Sequence, residues 1–151
     1  VIDPCRNETW SAVAGRGAWL NGSPIQVAEG RSDISRALVA TGFSYNLERR
    51  VWQSATSSLV IPRVRDVRRF GSAALDLCWV GGGRFDCYYE WDLKPWDMCA
   101  GALVCREAGG RVEALPEDLV VAGTKALFPE LVELVAWARS SADEDSRHVV
   151  Q

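Results

Sequence analysis

The chain has 151 residues, with 20 acidic against 17 basic side chains and a formal net charge of -3. That length suits one domain burying about 70% of its unfolded surface, and the ordinary share of apolar and charged residues argues against disorder or a fibrous repeat. No basic block is long enough to track a phosphate backbone and no apolar run reaches the roughly 20 residues that span a bilayer, so neither nucleic acid nor membrane is an expected partner.

The opening Val1-Ile2-Asp3-Pro4 lacks the charged-then-apolar pattern of a secretory signal and does not start with methionine. The chain is therefore expected to begin inside a longer protein. Residues 1–30 read as antiparallel β structure: Glu8-Thr9-Trp10-Ser11-Ala12-Val13 alternates, and Asn21-Gly22 is a hairpin pair. Asp3-Pro4 is turn chemistry, because Cys5-Arg6-Asn7 supplies no second carboxylate. Strands without a helix cannot make a core, so this segment is expected to be the remnant of an amino-terminal domain whose other strands lie upstream.

From about Arg31 strands and helices alternate, giving an expected second domain over residues 31–139. Ala37 to Phe43 is a strand candidate. Leu47 to Leu59 is a helix, with Leu47, Val51, Ser54, Ala55 and Leu59 at helical spacing, and Val64 to Phe70 is a second strand. Gly71 to Val80 is a short apolar helix stopped by Gly81-Gly82-Gly83. Phe85 to Trp91 alternates, placing Phe85, Cys87, Tyr89 and Trp91 on one face and Asp86, Tyr88 and Glu90 on the other. Pro95 opens a helix that runs to about Glu107 before Gly109-Gly110, Arg111 to Ala114 and Leu119 to Ala122 are short strands, and Phe128 to Ala138 is an amphipathic helix. Residues 140–151 are expected to form a flexible polar tail. The fold class predicted is a layered α/β sandwich.

The five cysteines, Cys5, Cys78, Cys87, Cys99 and Cys105, are odd in number and form no C-x-x-C pair. All but Cys5 sit in apolar runs, as free thiols do in a reducing, cytoplasmic setting. Arg63, Arg65, Arg68 and Arg69 read first as a solvated strand edge and second as a contact for an anion or a subunit.

Three local features could carry chemistry. Proline at the first helical position puts Asp97 in the opening turn, where unpaired N–H groups and the helix dipole favour a carboxylate. Such a group suits a hard divalent cation, and equally suits ordinary capping. Arg69-Phe70-Gly71-Ser72-Ala73-Ala74 runs from strand to helix through a glycine, so its N–H groups could meet an anion, or Ser72 could simply cap the helix. Glu90 stands at the carboxyl end of a strand, the edge where open α/β sheets bind ligands, with Asp86 and Asp92 nearby. His148, the sole histidine, falls in the polar tail and reads as a bystander.

With those residues in hand, the chain resembles the inositol monophosphatase family up to about Ala138. The resemblance rests on residues 15–22, Arg69 to Leu77, Gly83 to Glu90, and Pro95-Trp96-Asp97 through Gly110. It implies that Asp97 is a catalytic carboxylate ligand of Mg²⁺, that Gly71, Ser72 and Ala73 line the substrate pocket, and that Glu90 accepts a hydrogen bond from a substrate hydroxyl. It further implies hydrolysis of a small phosphate monoester, lithium sensitivity and a homodimer of the full-length parent. Inositol monophosphate is the favoured substrate, ahead of histidinol phosphate, fructose 1,6-bisphosphate and 3′-phosphoadenosine 5′-phosphate; a non-catalytic assembly module is the alternative of another class. Cys99 stands where the family has alanine. The family's metal-binding glutamate and its paired-aspartate segment occur nowhere between Val1 and Gln151, so the chain alone is expected to be inactive.

Overall fold

Asn21 and Gly22 take successive left-handed backbone conformations, φ 49° and 80°, the geometry whose twist suits a two-residue hairpin. The turn joins strands β3 (Gly17–Leu20) and β4 (Ser23–Pro24), and the Asn21 side chain ties it down by accepting from the Thr9 amide at 2.8 Å. With β1 (Ile2–Asp3) and β2 (Glu8–Val13) these strands make an antiparallel sheet in the order β1-β2-β3-β4. The computed structural model describes residues 1–28 and 32–148, so the expected boundary at residues 30 and 31 lies outside the described residues.

The remaining elements are β5 (Leu38–Thr41), α1 (Leu47–Val60), β6 (Asp66–Arg68), α2 (Ala73–Gly81), β7 (Cys87–Trp91), α3 (Pro95–Glu107), β8 (Arg111–Leu115), β9 (Leu119–Gly123) and α4 (Phe128–His148). A second, mixed sheet has the order β6-β5-β7-β9-β8, with β5 parallel to β6 and β7 and the other pairs antiparallel. One core joins Trp10 and Ala18 of the first sheet to Leu77, Cys78, Val104 and Cys105 of α2 and α3 and to Ala40, Tyr88 and Ala122 of the second sheet. The other core joins Val39, Tyr89, Trp91 and Val121 on the opposite face of the second sheet to Val60 of α1 and to Leu131, Val135 and Ala138 of α4. The predicted layered α/β sandwich is therefore present as sheet, helix pair, sheet, helix pair.

Close contact between α2 and α3 depends on Gly101. A Cβ there would stand 2.6 Å from the Ala74 carbonyl oxygen and 2.9 Å from Leu77 Cβ, closer than packed atoms approach. The missing side chain lets the two helices begin side by side at the same edge of the sheet.

Four sequence expectations change. In β7 both faces are covered: Tyr88 lies in the first core, Cys87, Tyr89 and Trp91 lie in the second, and Phe85 belongs with Tyr88 rather than with Cys87. A central strand between two helical layers has no solvated side. Helix α1 is where its spacing predicts, but it is rotated: Leu47 and Val51 are 66% and 61% exposed, while Gln53, Thr56, Ser57 and Val60 face inward. Gln53 Oε1 accepts from the Ser44 amide at 2.8 Å, Ser57 Oγ meets the Tyr89 hydroxyl at 3.0 Å, and Thr56 Oγ1 donates to the Trp52 carbonyl of its own helix at 2.9 Å, while Gln53 Nε2 has no partner among the described residues. Helix α4 does not stop at Ala138, because Ala142 is still buried and the helix extends to His148; within the predicted tail, residues 149–151 and the side chains of residues 144–148 lie outside the described residues. Of the cysteines in apolar runs, Cys78, Cys87 and Cys105 are buried, but Cys99 is exposed on α3.

Candidate functional site

Strands β5 and β7 run parallel and end on the same edge of the second sheet, β5 running into Gly42 and β7 into Asp92. A cleft of about 460 Å³ opens there. Its walls are the loop after β5, Arg69 with residues 71–74, the end of β7, and Lys94, Trp96 and Asp97. Gly71, Ser72, Ala73, Glu90 and Asp97, the five residues singled out in the sequence, thus meet in one cavity at the carboxyl edge of the parallel strands.

Local chemistry explains each wall. Lys94 caps α3, Pro95 occupies its first turn, and Asp97 Oδ2 accepts from the Lys94 amide at 2.9 Å. The other oxygen, Oδ1, has no hydrogen-bond partner among the described residues. Asp97 therefore caps its helix with one oxygen, and lines the cleft with the second unpaired among the described residues. Ser72 likewise caps α2, its Oγ accepting from the Leu75 amide at 3.4 Å, and the amides of Ala73 and Ala74 at the helix mouth have no intrahelical acceptor. Gly71 takes φ 89°, and a Cβ there would lie 3.4 Å from Arg69 Nη1, so the guanidinium stands directly over the glycine.

Glu90 leans against Gly42, where a Cβ would fall 2.2 Å from its carboxyl atoms. Only glycine leaves room for it. Its Oε2 accepts from the Tyr88 hydroxyl at 2.6 Å. Burial lifts the Glu90 carboxyl above its usual range, against the opposing pull of that hydrogen bond and of Arg69. Asp92 has φ 68° and pairs with Arg49 of α1, fixing the end of β7 to that helix. Just behind the cleft, Asp76 of α2 is 1% exposed, with neither oxygen hydrogen-bonded. Burial first, and the nearby Glu90 charge second, push its carboxyl up to about 7.

Not every candidate acid joins them. Asp86 lies at the other end of β7, buried, with Oδ2 accepting from the Leu38 amide at 2.7 Å, so it ties β7 to β5. Asp3 is a turn residue as predicted, accepting from the Cys5 and Arg6 amides at 3.0 and 3.2 Å. The side chain of His148 lies outside the described residues. The arginines divide: Arg68 pairs with Asp66 on the edge strand β6, Arg63 stacks on Trp137 at 4.0 Å, and Arg69 alone of the four lines the cleft.

Sequence reasoning missed Gly42, Tyr88 and Asp76, and read Arg69 first as a solvated strand edge, whereas it lines the cleft. For Asp76 a signal existed, a single acid inside the otherwise apolar run Ala73–Gly81. Among the described residues no three His, Cys, Asp or Glu side chains converge as a metal-binding group. Asp97 Oδ1 fits one corner of a Mg²⁺ shell, which requires further oxygens beside it.

A family model described as the inositol monophosphatase family matches residues 1–142. The inositol-1-monophosphatase of Mycobacterium bovis is 46% identical over 115 residues, covering 74% of this chain and 40% of that protein. A Pseudomonas aeruginosa protein named Nus factor SuhB is 39% identical over 148 residues, covering 89% of this chain and 53% of that one. Among solved structures, Mycobacterium tuberculosis SuhB superposes with a TM-score of 0.82 at 40% identity, covering 87% of this chain and 55% of its own. The Thermotoga maritima IMPase superposes with a TM-score of 0.81 at 29% identity, covering 92% and 55%. The chain spans about half the length of these relatives, or less.

Proposed function

This chain belongs to the inositol monophosphatase family, and we propose that it supplies the substrate-facing side of a Mg²⁺-dependent hydrolase of small phosphate monoesters. The observation that carries this reading is the convergence of Asp97, Glu90 and the Gly71–Ser72–Ala73 junction on a single cleft. The helix-mouth amides beside Gly71 receive phosphate oxygens, aided by the dipole of α2. Glu90 accepts a hydrogen bond from a hydroxyl of the alcohol portion, and Gly42 keeps the space it needs. Asp97 Oδ1 would hold the metal, which when bound lowers the pKa of a water and neutralises phosphoryl charge. The remaining ligands must come from outside this chain, because one carboxylate oxygen does not retain Mg²⁺.

Inositol monophosphate is the leading substrate, since Glu90 suits a polyol; histidinol phosphate, fructose 1,6-bisphosphate and 3′-phosphoadenosine 5′-phosphate compete with it. The reading carries with it a cytoplasmic, lithium-sensitive homodimer acting on neither nucleic acid nor membrane lipid. Phosphate release from those four esters, with and without Mg²⁺, tests it on this chain and on a polypeptide of the relatives' full length. The short chain is expected to be inactive and the long one active, with Asp97→Asn lowering the long chain's rate by roughly 100-fold. Failure of the long chain on all four esters would overturn the proposal.

One observation favours a second reading. Relatives named Nus factor match as extensively as those named phosphatase, which suits an assembly module. A longer chain that forms a complex unaffected by Asp97→Asn, and that releases no phosphate, would establish it instead.

A further inference from the structure

Asp76 belongs to the first turn of α2, followed by Leu77, Cys78, Trp79 and Val80, all buried. Its own carboxyl is 1% exposed and unpartnered at both oxygens among the described residues. A buried carboxylate with nothing to bond is costly, and the usual resolution is to keep its proton. The groups that act on it are Glu90 of β7 and Arg69 from the loop ahead of α2. Tyr88 of β7 feels both Asp76 and Glu90, and Asp97 of α3 acts on Tyr88 and Glu90. Cys78 and, across the seam, Cys105 of α3 are thiols that burial pushes up to about 12, hence neutral. Strands β5 and β9, also packed on α2, contribute no ionisable side chain.

Between the two carboxyls the hydrogen-bond geometry is asymmetric. The Tyr88 hydroxyl has one proton and gives it to Glu90 Oε2 at 2.6 Å. Glu90 is therefore stabilised as the acceptor, and Asp76 has no donor to stabilise its anion.

We propose that Asp76 is a positioning residue that holds a proton beside the cleft, so that the one negative charge of the Asp76 and Glu90 pair stays on Glu90, ready to accept a substrate hydroxyl. The role of Glu90 toward substrate rests on the function proposed above; the place of the proton does not. Were Asp76 ionised, its charge would oppose that of Glu90, and Glu90 would take up the proton and lose its acceptor character.

Carboxyl ¹³C titration of the whole chain, free of metal and substrate, locates the proton. The Asp76 resonance, identified by its loss in Asp76→Asn, is expected to titrate near neutrality and above Glu90, and in Glu90→Gln, which removes the charge acting on it, Asp76 should titrate lower than in the parent. Tyr88→Phe should raise the Glu90 midpoint, since it removes the stabilising donor. A purely packing role for Asp76 would leave its midpoint unmoved in Glu90→Gln. An Asp76 midpoint in the range of ordinary carboxyls, or one below that of Glu90, overturns the proposal. If Asp76→Asn fails to fold, sequential backbone assignment of the parent gives the same two midpoints. The pH dependence of unfolding supplies an independent sign: a folded value near 7 above an unfolded 3.8 stabilises most below 3.8 and is lost as pH rises towards 7. Absent phosphatase activity would leave these titrations intact, and inverted midpoints would leave phosphate release intact, so the two proposals fail separately.

Discussion

At the amino end of β7, Asp86 is buried and its carboxylate accepts the Leu38 amide at 2.7 Å, whereas at the carboxyl end Glu90, Asp92 and the nearby Asp97 surround a cleft of about 460 Å³. The same strand thus carries, at one end, an acid spent on joining two strands and, at the other, Glu90 with an oxygen left over. The difference lies in what each oxygen touches. Asp86 holds the β5 and β7 pair in register, and that register is what brings Gly42 opposite Glu90 at the far end. Structure at one end is the condition for a site at the other.

Removing the tie should have the largest effect. Asp86→Ala strands the Leu38 amide in a buried setting and is expected to cost about 3 kcal/mol of unfolding free energy, read as a lower urea midpoint at unchanged slope. A loss below about 1 kcal/mol would mean that Asp86 is not the anchor described. A smaller effect is expected at the opposite end. Gly42→Ala places a methyl where the Glu90 carboxyl stands, at a cost of about 1–2 kcal/mol as the side chain swings away. In a phosphate-releasing longer chain that variant should raise KM for a polyol phosphate by about tenfold while leaving kcat within a few-fold. An unchanged KM would separate Glu90 from the substrate. Smallest of all is Trp96→Ala at the cleft mouth. Trp96 is 81% exposed, so the change should stay within about 0.5 kcal/mol of the parent in the same urea assay. A larger loss would make that wall part of the fold rather than of the site.

Much of the site was legible because its elements are local. Pro95 sets a helix start and Asp97 follows two residues later; Gly71 and Ser72 set another; both helices begin within a residue or two of the predicted points. The alternation around Glu90 marks a strand. What misled was the face. In α1, Leu47 and Val51 suggested an apolar stripe, yet Gln53, Thr56 and Ser57 go inward because the Tyr89 hydroxyl and the Ser44 amide await them. In α2, Asp76 was hidden because nothing in a nine-residue apolar helix says whether its one acid faces solvent or a neighbour.

By itself, then, the sequence determined which segments become helices and strands, where α2 and α3 begin, the Asn21-Gly22 hairpin, and the short acid-bearing segments, since turns, caps and alternation are set by residues within about four positions of each other. Tertiary structure alone decided that Gly42 makes room for Glu90, that Gly101 lets α2 and α3 open onto one cleft, and that Asp76 is left without a donor. Those outcomes depend on which distant backbone atoms come within a few ångströms, and chain spacing does not encode that distance directly.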